Sequence, residues 1–170
     1  MKKSVRLIIS FMILTAVLGF MACGSHSNIK FTEKGKLLTS VSWKMDPSAT
    51  LKETTDAIKD SSGMTTDIKL EKDVKKLADF ASETLTFGPD KKDPNKLSYK
   101  SQFGEGLLSI SVTGYWNFSP DESSIIMREW DSQASKEKEP ITYKIVELTK
   151  DKLVLQREGS VGASIYFPKK

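Results

Sequence analysis

The rear of the chain alternates apolar and polar residues with a period of two. In the clearest run, Leu108, Ile110, Val112, Gly114, Trp116 and Phe118 share one parity, and Leu107, Ser109, Ser111, Thr113, Tyr115 and Asn117 share the other. Successive side chains of a strand point to opposite faces, so Leu107 to Phe118 predicts a strand with one dry and one wetter face. That is the habit of antiparallel sheets. The same period predicts strands at Thr84–Phe87, Leu97–Phe103, Ser124–Trp130, Ile141–Leu148, Lys152–Arg157 and Ser164–Phe167. Turn residues separate them: Gly88-Pro89-Asp90, Asp93-Pro94-Asn95, Gly104-Glu105-Gly106, Ser119-Pro120-Asp121-Glu122, Thr149-Lys150-Asp151 and Gly159 to Gly162. Asp131 to Pro140 reads as a polar loop. Parallel strands need a crossover of about a dozen residues or more, which these short connections do not supply.

Upstream, Leu37, Thr39, Val41, Trp43 and Met45 alternate with Leu38, Ser40, Ser42 and Lys44 and predict the first strand, stopped by Asp46-Pro47-Ser48. Ala49 to Asp60 predicts a short helix. Leu70, Val74, Leu77 and Ala81 recur at steps of four, three and four, an amphipathic helix over about Leu70 to Ser82 whose apolar face should cover one side or end of a sheet. The expected fold is mainly β: an antiparallel up-and-down meander closing into a barrel of about eight strands, with one or two short helices inserted after the first strand. Closure removes exposed strand edges.

The head of the chain follows another rule. Lys2, Lys3 and Arg6 precede an uncharged apolar run from Leu7 to Phe20, and the small residues Ala22 and Cys23 close it. This is the layout of a secretory signal, and it is shorter than the roughly 20 apolar residues of a spanning helix. Phe20-Met21-Ala22-Cys23 resembles a bacterial lipobox, in which the cysteine is acylated and becomes the mature N-terminus. The expected organisation is a lipoprotein signal peptide over 1–22, a lipidated tether over 23–34 and a barrel domain over 35–170. Removing the first 22 residues takes away three basic side chains and no acidic ones, so the net charge of +4 falls to +1. The basicity of the whole chain is therefore no argument for nucleic acid. Gly24 after the cysteine, rather than Asp, resembles outer-membrane sorting. The expected location is the cell envelope, lipid-anchored through Cys23 to the outer membrane and facing the periplasm, as a monomer.

Two short motifs carry a family resemblance. Gly114-Tyr115-Trp116-Asn117-Phe118-Ser119-Pro120-Asp121 resembles the G-x-W-x-F-x-x-D strand and turn of small lipocalin-like lipoproteins of Gram-negative bacteria. The stretch from Tyr143 to Leu155 resembles their next hairpin. The resemblance covers about Lys36 to Lys170 and is strongest from Gly114 to Leu155. It implies a lipocalin-like β-barrel held by a lipid. One departure is visible: the family's first strand begins with G-x-W, whereas here Gly35-Lys36-Leu37 stands in that place and the tryptophan comes later, at Trp43.

The available chemistry is sparse. The single Cys excludes an internal disulfide, and one Cys with one His cannot build a Cys/His zinc site. His26, the only candidate imidazole base, lies in the tether, which argues against Ser–His or Cys–His hydrolysis. Glu129 and Asp131 share a parity, but a solvated rim explains them better than paired catalytic carboxylates. No phosphate cradle or calcium loop appears. The expectation is therefore no enzyme and no cofactor. What remains is aromatic and apolar material on a curved sheet: Trp43, Tyr99, Ile110, Val112, Gly114, Trp116, Trp130 and Tyr143 are the candidate ligand-lining residues. An eight-stranded barrel is just wide enough to be filled by side chains or to hold one small ligand. Two readings follow. In one, a lipid-anchored binding protein holds a small apolar or amphiphilic ligand. In the other, these aromatics are the core itself, and the lipoprotein meets another envelope protein.

Overall fold

A computed structural model of the chain describes residues 29–62, 82–104 and 109–170. The signal segment, Cys23, His26 and the amphipathic stretch from Leu70 to Ala81 lie outside these residues. The elements run α1 (Glu33–Thr39), β1 (Ser42–Met45), α2 (Pro47–Ser62), β2 (Glu83–Pro89), β3 (Leu97–Phe103), β4 (Ile110–Phe118), β5 (Ser124–Asp131), β6 (Lys136–Glu137), β7 (Ile141–Leu148), β8 (Leu153–Arg157) and β9 (Ser164–Pro168). Every pairing is antiparallel. Each barrel strand pairs with its neighbour in the chain, β7 following β5, and β9 returns to β1 with Trp43 opposite Pro168. Eight strands thus close into an up-and-down barrel, as the alternation requires. The two-residue β6 pairs only with β5, inside the stretch expected to be all loop.

The front of the domain differs from the sequence reading. Leu37 to Thr39 belong to α1, which precedes the first strand, and β1 begins only at Ser42. Thr32 is the reason: its Oγ1 accepts the Gly35 N–H at 3.2 Å, satisfying a donor that a helix start leaves orphaned. Glu33 sits in the first turn, where the helix dipole favours an anion, and pairs with Lys36 at 2.6 Å. Leu38, on the polar parity of the expected strand, is fully buried. Phe31 packs against the core, so folded structure starts before residue 35, within the expected tether. The second helix is longer than expected because Asp46 caps it, accepting the Ala49 N–H at 2.9 Å, and Pro47 takes the first helical position, where a missing N–H costs nothing.

The barrel has two unlike ends. At the base lie the start of β1, the β2–β3, β4–β5 and β7–β8 turns, and α1. Lys34 Nζ of α1 donates to the Glu122 carbonyl of the β4–β5 turn at 2.8 Å, and Trp43 Nε1 donates to the Leu38 carbonyl at 2.9 Å. Leu38, Trp43, Leu85, Phe87, Trp116, Ile125, Leu153 and Leu155 fill this half with buried side chains. At the other end, the mouth, lie the end of β1, the starts of β2, β4, β7 and β9, and the ends of β3, β5 and β8. The amphipathic α2 covers the outer face of β8 and β9, where Ala49 packs on Val154, Ala163 and Ile165, and Thr50 Oγ1 accepts the Ile165 N–H at 3.0 Å.

Candidate binding site

Alternation fixes which side chains enter the mouth. Counting from the buried Leu85, Tyr99, Trp116, Met127, Leu155 and Tyr166, the next inward positions toward the mouth are Glu83, Ser101, Val112, Glu129, Tyr143, Arg157 and Ser164. The base is apolar and the mouth is polar. Glu83 is the centre of the polar half. Its Oε2 accepts the Tyr166 hydroxyl at 2.7 Å, and its Oε1 accepts the Ser101 hydroxyl in a very short contact. Tyr166 and Ser101 are buried, so a carboxylate here completes hydrogen bonds that would otherwise be costly to leave unmade. Sequence reasoning passed over Glu83. Its signal was its parity: it stands two residues before Leu85 on the inward face of β2.

Three phenols respond to this carboxylate. Burial, then the charge of Glu83 and its hydrogen bond, hold the Tyr166 hydroxyl well above the usual phenol range. Burial and then Glu83 also raise Tyr143. Burial first, then Glu129, Tyr143 and Glu83, push Tyr99 up to about 12. All three stay protonated in the fold after an unfolded phenol, near about 10, has ionised. The unfolded chain then binds fewer protons than the folded one, so stability must fall as pH rises. It is fully present below about pH 10 and is lost above that, through the range in which Tyr99 titrates. Urea midpoints should therefore drop above about pH 10, and Tyr166→Phe should flatten that drop; a midpoint indifferent to alkaline pH would contradict the site as described.

The residues expected to line a ligand divide into three groups. Trp43, Tyr99 and Trp116 are core: Trp116 meets Phe87 edge-on at 5.4 Å and Phe118 at 5.2 Å, and its Nε1 donates to the Ser98 carbonyl at 3.0 Å. Val112 and Tyr143 face the mouth. Ile110 keeps the inward parity but stands at the rim, 67% exposed opposite Phe103. Trp130 corrects the reading: Ile125 and Met127 take the inward parity of β5, so Trp130 points outward, 42% exposed, and meets Tyr115 edge-on at 6.5 Å on the outer face. Gly114 marks a close approach of strands, because a Cβ there would collide with the Arg128 carbonyl and lie 2.8 Å from the Tyr99 ring.

The motif residues have structural duties. Asp121 Oδ1 gathers the Ser119 hydroxyl at 2.6 Å, the Ser123 N–H at 3.1 Å and the Ser123 hydroxyl at 2.9 Å, and these bonds, the Ser119 hydroxyl foremost, lower its carboxyl to about 2. They fasten a turn in which Glu122 has φ of +54°, a left-handed backbone that L residues rarely adopt. Among the described residues no group of three or more His, Cys, Asp and Glu side chains comes together to hold a metal. Fold and site together define a class: a closed antiparallel eight-stranded barrel, plugged at its base by a helix and polar at its mouth. The chain matches no family model, no curated protein and no solved structure.

Proposed function

We propose that this chain is a lipid-anchored binding protein of the bacterial cell envelope, similar to the small lipocalin-like lipoproteins, and that it holds a small amphiphile at the barrel mouth. The observation that carries the reading is Glu83, an inward carboxylate gripped by Ser101 and Tyr166 above an apolar floor. A ligand with a polar head could exchange hydrogen bonds with that group while its apolar part rests on Val112, Ile110 and Phe103, the last two of which are exposed at the rim. Acylation of Cys23 would supply the anchor, since a single acyl chain gives marginal membrane binding and two or more hold stably. The base half supports a second reading. Trp43, Leu85, Phe87 and Trp116 leave it filled, as suits a structural or protein-interaction lipoprotein with no small-molecule ligand.

One preparation tests both parts. The full chain, purified from its membrane fraction, is extracted with organic solvent beside a Cys23→Ala variant. A single amphiphile recovered at about one per chain supports the first reading; an empty extract with a co-purifying envelope protein supports the second. The wild type should carry the added mass of the acyl groups and lack residues 1–22, while Cys23→Ala stays unprocessed or leaves the membrane. Identical mass and fractionation in the two would remove the anchor from the proposal.

A further inference from the structure

We propose that the outer face of strands β2 to β5 carries a second site, for an acidic saccharide: a sugar chain bearing carboxylate or phosphate groups. An open groove of about 780 Å³ crosses this face, lined among others by Gly88, Lys91, Lys92, Lys100, Tyr115 and Trp130. Its size lies within the roughly 300–1,000 Å³ of ligand sites. It is separate from the mouth, because Tyr115 and Trp130 belong to the outward parity of β4 and β5.

Three features select the ligand. The first is the aromatic pair. Trp130 is 42% exposed and packs edge-on against Tyr115, whose ring also carries Lys96 Nζ at 5.1 Å from its centroid. A half-exposed indole held in place by a neighbour is a rigid platform, and the C–H-rich face of a pyranose ring is attracted to its electron-rich face. The second is charge. Lys91 and Lys100 form no ion pair with a described residue, while the nearby carboxylates have partners of their own: Asp93 pairs with Lys96, and Glu137, opposite Trp130, pairs with Arg128, each at 3.9 Å. Asp90 Oδ1 accepts the Lys92 and Asp93 N–H groups at 2.8 and 2.9 Å, and Asp93 Oδ1 accepts the Asn95 N–H at 3.1 Å. The lysines are therefore left to face an incoming anion. The third is the floor. Ser98 and Thr113 offer hydroxyls, and at Gly88 a Cβ would find no atom within 4 Å, so the groove is open there. An extended acidic peptide fits less well. β3 and β4, which cross the groove, are hydrogen-bonded on both sides, so no edge is offered for strand addition.

The test uses the full chain in detergent, titrated separately with oligogalacturonate, a phosphorylated oligomannose, a neutral maltooligosaccharide and polyglutamate. Of the three tryptophans, Trp43 and Trp116 are buried, so the fluorescence response reports Trp130. One or both acidic saccharides should change the emission saturably, the carboxylate and phosphate arms telling the two sources apart. Followed by calorimetry, Trp130→Ala and the pair Lys91→Ala with Lys100→Ala should each weaken that binding about tenfold or more. The urea midpoint of the lysine variant should stay at the wild-type value, since both side chains are exposed, and that of Trp130→Ala should fall only slightly, through loss of the edge contact with Tyr115. Absence of binding by both acidic saccharides, equal binding of the neutral one, or equal or tighter binding of polyglutamate would overturn the proposal.

Discussion

Trp43→Ala should cost about 3–5 kcal/mol, a large share of the roughly 5–15 kcal/mol that holds a domain folded. The indole is fully buried at the base, between a helix and a barrel seam. Removing it deletes the largest fully buried side chain and leaves a cavity that β1 cannot collapse to fill, because β1 is paired to β2 on one side and β9 on the other. It also orphans the Leu38 carbonyl, which the indole N–H meets at 2.9 Å. That bond bears on α1 directly. A seven-residue helix is far below the roughly 12–15 residues at which an isolated helix becomes even marginal in water, so α1 depends on its contacts with the barrel. Trp43→Phe keeps the larger part of the buried ring, loses the hydrogen bond and leaves a smaller cavity, for about 1–3 kcal/mol. Urea unfolding followed by circular dichroism checks both. The midpoints should fall in the order wild type, Trp43→Phe, Trp43→Ala; a loss under about 1 kcal/mol for the alanine variant would mean that the base is not closed by this residue.

The barrel was legible because a strand period of two is written in single residues. Leu97 to Phe103 and Ile110 to Phe118 each keep the alternation, and the loops between these strands are too short for any but antiparallel pairing. Helix α1 was not legible, since its seven residues contain two apolar side chains, Leu37 and Leu38, and such a segment fits either period. What decided it was a capping bond from Thr32 and the burial of Leu38, neither of which is a pattern. The site was half legible. Tyr99, Tyr143 and Val112 were found as inward-facing apolar or aromatic residues. Glu83 escaped, because a charged residue at a strand end reads as a rim until its burial partners, Ser101 at a separation of 18 residues and Tyr166 at 83, are known. The facing of Trp130 is not legible because Ile125, Ile126 and Met127 are apolar in succession and leave the parity of β5 open; one step of parity moves a side chain from the core to solvent.

Gly114→Ala should destabilise the domain, against the usual direction for that substitution. In a strand, Gly to Ala ordinarily gains about 0.5–1 kcal/mol, since the unfolded chain has less freedom to lose. At Gly114 a second effect opposes it. The added methyl would collide with the Arg128 carbonyl of β5 and come within 2.8 Å of Tyr99 Cε1. Overpacking typically costs about 1–3 kcal/mol, and here the obstacle is backbone rather than the end of a flexible chain, so the upper part of that range applies. Gly114 lies opposite Tyr99 on β3 and Glu129 on β5. Relief would require either strand to move away, breaking the ladder or lifting Tyr99 from the group of phenols around Glu83. Gly88→Ala is the matched control: it is a strand glycine in the same barrel, and a Cβ there meets nothing within 4 Å. It should be neutral or stabilising by about 0.5 kcal/mol. The thermal midpoint should therefore fall in Gly114→Ala while it holds or rises in Gly88→Ala, and it should fall furthest in Gly114→Val, with two more methyl groups at the same carbonyl. A stable Gly114→Ala would mean that β4 and β5 lie further apart than described, with room for a methyl group beside Tyr99.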